Sequence, residues 1–277
     1  MPPSSRIPIW QVDAFADRAF AGNPAAVCIL QQYPADEWMQ SVAAEMNLSE
    51  TAFLVPTNEE NCFHLRWFTP ATEVDLCGHA TLASAQTLIE QKKVNGNQPI
   101  RFQTRSGELT CTQTESGITL DFPATPATHD VDSRRTTSLL EALGVDQGDV
   151  LRSTYDCLVV VEDSQFVESL TPNFNALEAI DTRGVIVSAE GKNAEVDFVS
   201  RFFAPRCGVN EDPVTGSAHC CLAPYWAQRL GKNSLIGYQA SKRGGIVRCD
   251  VVGDRVQLTG TAVTVMEGRL LNAPSSI

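Results

Sequence analysis

Three side chains that can exchange protons stand out in this 277-residue chain: Glu50, His79 and Asp212. Glu50 lies in Asn47-Leu48-Ser49-Glu50-Thr51, where a helical segment hands over to an apolar strand. His79 follows directly on Gly78 in Cys77-Gly78-His79-Ala80-Thr81. Asp212 stands four residues before Gly216 in Glu211-Asp212-Pro213-Val214-Thr215-Gly216-Ser217-Ala218-His219. A carboxylate in a dry site can have its pKa raised until it exchanges a proton near neutral pH. A histidine and a second carboxylate beside it would orient substrate groups and steady developing charge. Each also has a plain structural reading. Glu50 could be a solvated loop glutamate, His79 a capping or core histidine, and Asp212-Pro213 a common turn pair.

What sets the three apart is an internal repeat. Arg66-Trp67-Phe68-Thr69-Pro70 returns as Arg201-Phe202-Phe203-Ala204-Pro205, an offset of 135 (from 66 to 201). The offset then becomes 138, setting Gly78 on Gly216, Gly107 on Gly245, Cys111 on Cys249 and Leu120 on Leu258. Upstream, the stretch 52–55 falls on 184–187 at an offset of 132. On these offsets Glu50 meets Thr182, His79 meets Ser217, and Asp212 meets Val74. The period is too long for a solenoid and reads as two copies of one domain across a pseudo-twofold axis. The cleft between the halves is then the expected place for chemistry, and residues that break the symmetry there are its candidates.

The elements that must position these residues are mixed. Strands are expected over 7–15, 25–30, 51–55 and 63–68. In 37–46 a helix places Trp38, Met39, Val42, Ala43 and Met46 on one face, with Asn47 as its C-terminal cap. A long helix begins near Gly78 and runs through Leu88 and Ile89. A hairpin over 107–122 turns at Glu115-Ser116-Gly117, and the second half ends in strands over 246–251, 255–258 and 262–267. The Pro- and Ala-rich segment 123–133 reads as the linker. The fold class is therefore α+β, with pseudo-equivalent domains at 1–125 and 126–277.

Each long helix starts at a glycine followed by small residues, at Gly78 and at Gly216-Ser217. Unpaired backbone N–H groups and the helix dipole favour an anion there, and glycine lets it approach closely. Ordinary capping by Thr215 or Ser217 is the bland alternative, but the matched pair suggests a clamp for a carboxylated substrate. Pro224 lies inside the second helix and should kink it.

Composition excludes several function classes. A net charge of −12, from 21 basic and 33 acidic residues, argues against nucleic acid. The longest apolar runs are strand-sized, so no membrane span is expected. The N-terminus has no signal-like apolar core, and nine cysteines without a C-x-x-C pair suit reduced thiols in a cytoplasmic protein. His219-Cys220-Cys221 with Cys207 makes a poor zinc set, because adjacent cysteines on a helix point about 100° apart. Cys77 and His79 are too close in sequence to make a persuasive thiol–histidine pair. No nucleotide motif is present, and neither metal nor cofactor is expected.

The segments around Glu50, Gly78-His79 and Asp212-to-His219, with Asp13-Ala14-Phe15 and Gly22-Asn23-Pro24-Ala25-Ala26-Val27, resemble the signature segments of the PhzF-like (phenazine biosynthesis) isomerase family across the whole chain. The resemblance implies the diaminopimelate-epimerase fold: two similar domains, each a sheet wrapped on one long helix, with the active site in the interdomain cleft. It implies that Glu50 is the acid/base, that His79, Asp212 and Ser217 line the site, and that Gly78 and Gly216 offer backbone contacts. The family's best-known reaction is the cofactor-free isomerisation of a dihydro-hydroxyanthranilate. The epimerase branch of the fold uses two facing cysteines. Here Cys77 holds the first position but Thr215 the second, and a threonine hydroxyl cannot replace a thiolate at neutral pH. The expected function is a cofactor-independent isomerase acting on a small carboxylated metabolite, with a homodimer allowed. A non-enzymatic binding protein that keeps the cleft is the alternative.

Overall fold

The computed structural model describes residues 6–96, 98–130 and 132–271. The chain is α+β and divides into two compact units, Met1–Asp121 with Thr259–Ile277, and Phe122–Leu258. The division departs from halves at 1–125 and 126–277. The final strand, Ala262–Leu270, pairs antiparallel with the first strand, Ile7–Ala14, and so belongs to the first unit. No described helix is long and apolar enough to cross a membrane.

In the first unit, β1 (Ile7–Ala14) and β2 (Asn23–Ile29) precede α1 (Asp36–Met46). Next come β3 (Glu50–Pro56), β4 (Cys62–Phe68), the short β5 (Glu73–Val74) and α2 (Gly78–Glu90). The hairpin strands β6 (Ile100–Thr104), β7 (Gly107–Thr114) and β8 (Gly117–Pro123) complete the order. The α1 stripe is as the periodicity predicts, with Met39 and Ala43 buried. Asn47 ends the helix in the left-handed region (φ 50°, ψ 37°), its N–H bonded to the Ala43 carbonyl.

Helix α2 packs on β1, β2 and β3 and is buried nearly all round. Gly, Ala, Ser and Thr make up seven of its 13 residues, so the sheet can approach closely. The hydroxyls cost little there, because Thr81, Ser84 and Thr87 donate to carbonyls four residues back, those of Cys77, Ala80 and Ala83. On the other face of the strands, Met39 and Ala43 of α1 join Ile7, Ile9, Ala26, Cys28, Phe53 and Phe68 in a second core.

The second unit runs β9 (Thr128–His129), α3 (Ser133–Leu143), β10 (Asp149–Arg152), β11 (Asp156–Val160) and the short helices α4 (Ser164–Ser169) and α5 (Phe174–Glu178). It continues with β12 (Gly184–Glu190), β13 (Phe198–Ala204), β14 (Val209–Asp212), α6 (Gly216–Leu230), β15 (Ser234–Gln239), β16 (Gly245–Val252) and β17 (Arg255–Gly260). Ala262–Leu270 is β18. Segment 123–133 is more than a linker, since β9 within it pairs with β10. Val131 lies outside the described residues.

The repeat is visible in the pairing. β2–β3 is parallel, β3–β4 antiparallel, β4–β6 parallel and β6–β7 antiparallel. β11–β12, β12–β13, β13–β15 and β15–β16 follow the same sequence of senses. Pro224 sits inside α6 without ending it. Proline cannot donate to the Cys220 carbonyl four residues back, and the backbone N–H of Thr125 takes that acceptor instead at 3.0 Å.

Candidate active site

Within each unit one arginine fork fixes the loop that leads into the long helix. Arg66 on β4 binds Glu73 through Nε and Nη2, both at 2.7 Å. Arg201 on β13 binds Glu211 in the same way, at 2.6 and 2.9 Å. The partly buried, bidentate geometry makes these stronger than ordinary surface pairs. Glu73 and Glu211 share the 138 offset (from 73 to 211), a signal that could have marked them in the sequence.

The first unit brings Glu50, Cys77 and His79 together. Glu50 opens β3, and His79 is the second residue of α2. His79 Nε2 lies 3.0 Å from Glu50 Oε2, an ion-pair distance without an aligned hydrogen bond. His79 Nδ1 is 3.1 Å from Asn23 Nδ2 and 3.5 Å from Cys77 Sγ, and the Ser49 hydroxyl donates to Asn23 Oδ1. With Asn23 donating to Nδ1, the single ring proton sits on Nε2, facing Glu50. A second proton, on Nδ1, requires Asn23 to turn its carbonyl to the ring. Burial pushes His79 down, but the Cys77 sulfur and the Glu50 carboxylate outweigh it and set the ring well above its ordinary value. Burial, then the Glu50 charge, pushes the Cys77 thiol up to about 11. Cys77 is therefore a thiol at neutral pH.

Sequence proximity does not keep Cys77 from His79, contrary to expectation, because the helix start folds the two side chains onto each other. The pair still lacks an activated nucleophile. Glu50, Cys77 and His79 present donor atoms within 4.8 Å of one another, a spacing that could hold a metal ion.

The second unit places Asp212 at the end of β14 and Gly216-Ser217 at the start of α6. Thr215 is the residue before the helix, yet its hydroxyl donates to Asp212 Oδ2 at 2.5 Å and makes no cap bond. Gln239 fixes the turn, accepting from Thr215 N–H at 2.9 Å and donating to the Asp212 carbonyl at 2.8 Å. Ser217 Oγ accepts from Arg183 Nη2 at 3.0 Å, and Arg183 is forked on Asp156. Arg183, Asp156 and Asn23 were not singled out from the sequence.

Strand register corrects one correspondence. Arg66 pairs with Phe53 and Arg201 with Val187. Three residues back along β3 and β12, Glu50 therefore matches Gly184 rather than Thr182. Gly184 has no room for a side chain, because a Cβ there would lie 2.2 Å from Phe202 Cζ. Trp67 pairs with Val74 and Phe202 with Asp212, so the expected match of Val74 with Asp212 holds. Glu50 and Asp212 each remain without an acidic counterpart.

Two like α+β units, each with one long helix, make up an epimerase-like fold. The family model for phenazine biosynthesis-like proteins matches residues 12–268. An uncharacterized isomerase of Halalkalibacterium halodurans is 52% identical over 264 residues, covering 95% of this chain and 98% of that protein. The crystal structure of a PhzF-family phenazine biosynthesis protein from Enterococcus faecalis superposes with a TM-score of 0.88 at 42% identity, covering 96% of this chain and 99% of that one. A hydroxyproline epimerase from Agrobacterium vitis shares the fold at 11% identity, with a TM-score of 0.62 over 98% and 94% of the two chains. The chain belongs to the phenazine biosynthesis-like (PhzF) family and is an isomerase with the two-domain epimerase-like fold.

Proposed function

We propose that this isomerase moves a proton between carbons of a small carboxylated metabolite, using Glu50 as the single acid/base and no cofactor. The observation that carries this reading is the 3.0 Å approach of Glu50 to the buried His79. Glu50 takes a proton from a substrate C–H, and the electron pair moves into the adjoining unsaturated system. The same carboxyl group then returns the proton to another carbon, so nothing is consumed. His79, with its ring proton on Nε2, donates a hydrogen bond where negative charge develops. Asp212 and Ser217 hydrogen-bond substrate polar groups, and Gly78 and Gly216 present backbone N–H groups. Two absences in the second unit favour a single acid/base over a two-base exchange: Thr215 stands where a second thiol would be, and Gly184 where a second glutamate would be.

The test begins with small molecules retained by the purified protein, identified by mass spectrometry. Wild type incubated with such a ligand in deuterated water should wash deuterium into carbon, and Glu50→Gln should not. Equal incorporation by the two proteins would sink the single-glutamate mechanism.

A further inference from the structure

We propose that Glu50, Cys77 and His79 form an inhibitory site for a thiophilic divalent ion of the zinc type, which switches proton transfer off by occupying Glu50. The site lies within the first unit, and its inhibitory effect rests on the proposed role of Glu50.

The three donor atoms already stand close to the corners that a tetrahedral ion needs. Zinc–ligand bonds of about 2.0–2.3 Å put the donors of one tetrahedron about 3.3–3.6 Å apart. His79 Nε2 is 3.0 Å from Glu50 Oε2 and 4.0 Å from Cys77 Sγ, and the three groups offer donor atoms within 4.8 Å of one another. The longest separation therefore has to close by about 1.2 Å at most, which side-chain torsions can supply. The donor set also suits zinc: one sulfur, one imidazole nitrogen and one carboxylate oxygen, with a fourth position left open.

The frame that holds the donors is stiff. Cys77 directly precedes α2 and His79 is its second residue, while Glu50 opens β3, on which α2 packs. Glu50 Oε2 is buried yet accepts no hydrogen bond, so an ion can take its lone pair without breaking one. The Glu50 side chain as a whole is 17% exposed, which gives the ion a way in. Ligation through Nε2 needs the ring proton on Nδ1. Asn23 then turns its carbonyl to Nδ1 and its amide to the Ser49 hydroxyl, which can accept as well as donate. The thiol proton of Cys77 goes to solvent and the Nε2 proton passes through solvent to Nδ1. A carboxylate and a thiolate then balance the two charges of the ion. The positive end of α2 opposes a cation with roughly half a charge, less than either of these ligands supplies.

The repeat gives the second unit no such set. Cys77 and His79 meet Thr215 and Ser217 at the 138 offset, and Glu50 matches Gly184 on the strand register. The proton-transfer reading gives Cys77 no task. Metal ligation is the chemistry open to a thiol beside an imidazole and a carboxylate.

Zn²⁺ and Cd²⁺ are the probes, with Mg²⁺ as the oxygen-preferring control. All are measured in a Cys207→Ser background, because Cys207 is exposed. Titration calorimetry should show one Zn²⁺ bound per chain, and Cd²⁺ should raise the ultraviolet charge-transfer absorption of a cadmium–thiolate bond. Loss of a residue that only orients a ligand costs about 10–100-fold in metal affinity, so Cys77→Ser should lose at least that and the cadmium band with it. Cys77→Ala should behave alike, and circular dichroism checks that each variant is folded. On a ligand that supports deuterium wash-in, Zn²⁺ should stop exchange and EDTA restore it, while Cys77→Ser continues to exchange at the same Zn²⁺ concentration. No Zn²⁺ binding, unchanged affinity in both Cys77 variants, or Mg²⁺ bound as tightly as Zn²⁺ would each overturn the site. Zn²⁺ bound through Cys77 with exchange undiminished would overturn the switch. Exchange absent throughout, with Zn²⁺ still bound through Cys77, would sink the proton-transfer reading and leave the site standing.

Discussion

Glu50 Oε2 and His79 Nε2 face each other at 3.0 Å, one from the first residue of a strand and the other from the second residue of a helix. Neither side chain owes its place to sequence neighbours alone. β3 is held parallel to β2, with Glu50 beside Ala25, and α2 packs on both strands. Asn23, at the start of β2, reaches the other ring nitrogen and fixes the ring between them. His79 is 4% exposed, and in so dry a place the attraction between ring and carboxylate is worth more than it would be in water.

Glu50→Gln should abolish turnover while leaving folding and ligand affinity nearly intact. Glutamine keeps the size and polarity but cannot take a proton from carbon and give it back. General acid–base catalysis contributes about 10²–10⁴-fold, so deuterium wash-in should fall at least that far if Glu50 is the only shuttle. Undiminished exchange would hand the role to His79 or Asp212.

Cys77→Ser should retain most of the activity. The thiol is pushed up to about 11, and its counterpart Thr215 supplies no second sulfur for a two-thiol relay. A loss on the order of a thousandfold, measured as wash-in on the same ligand, would make Cys77 a catalyst after all.

Asp212→Asn should weaken ligand affinity and rate together. Its carboxylate accepts the Thr215 hydroxyl at 2.5 Å, an orienting contact just ahead of the Gly216 turn. An amide there can still accept, but more weakly. A fall in the rate at saturating ligand with affinity untouched would instead assign Asp212 to the proton path.

Much of this was legible in the sequence because it follows from local rules. The α1 stripe has helical period, Asn47 tolerates the left-handed region, and glycines mark both long-helix starts. The match of Glu50 was misread for a reason that lies in strands themselves. Offsets of 132 and 134 differ by two residues, the side-chain period of a strand, so the apolar pattern fits both equally well. Only hydrogen-bond register separates them. The return of β18 to β1 and the fork of Arg183 on Asp156, 27 residues away, depend on long-range pairing that no local pattern announces.

Two buried histidines should give stability opposite slopes with pH. Burial lowers His219 to about 4, against partial support from the Thr215 carbonyl that its Nδ1 faces at 2.8 Å. Its folded value lies below the unfolded value of about 6.5, so the neutral ring stabilises the fold above that pH and the contribution fades as pH falls toward 4. The span amounts to about 3 kcal/mol. His79 is raised, so its contribution is complete below about 6.5 and is lost as pH rises through its folded value. Urea unfolding at a series of pH values, with wild type and His219→Gln, checks the acid limb. A variant whose stability falls as steeply as that of wild type between 6.5 and 4 would remove His219 as its cause.

Gly184→Ala tests whether the second unit could ever carry a glutamate where the first carries Glu50. The new methyl would lie 2.2 and 2.6 Å from Phe202 Cζ and Cε2, and 3.1 Å from Asp156 Oδ1. Phe202 is buried at 5% exposure, so its ring has little room to retreat, and Asp156 is held by Arg183. Overpacking of this kind costs about 1–3 kcal/mol, which a shift in the urea midpoint would read. A fully stable Gly184→Ala would mean that Phe202 yields easily, and that sterics do not keep the second unit free of a carboxylate at this position.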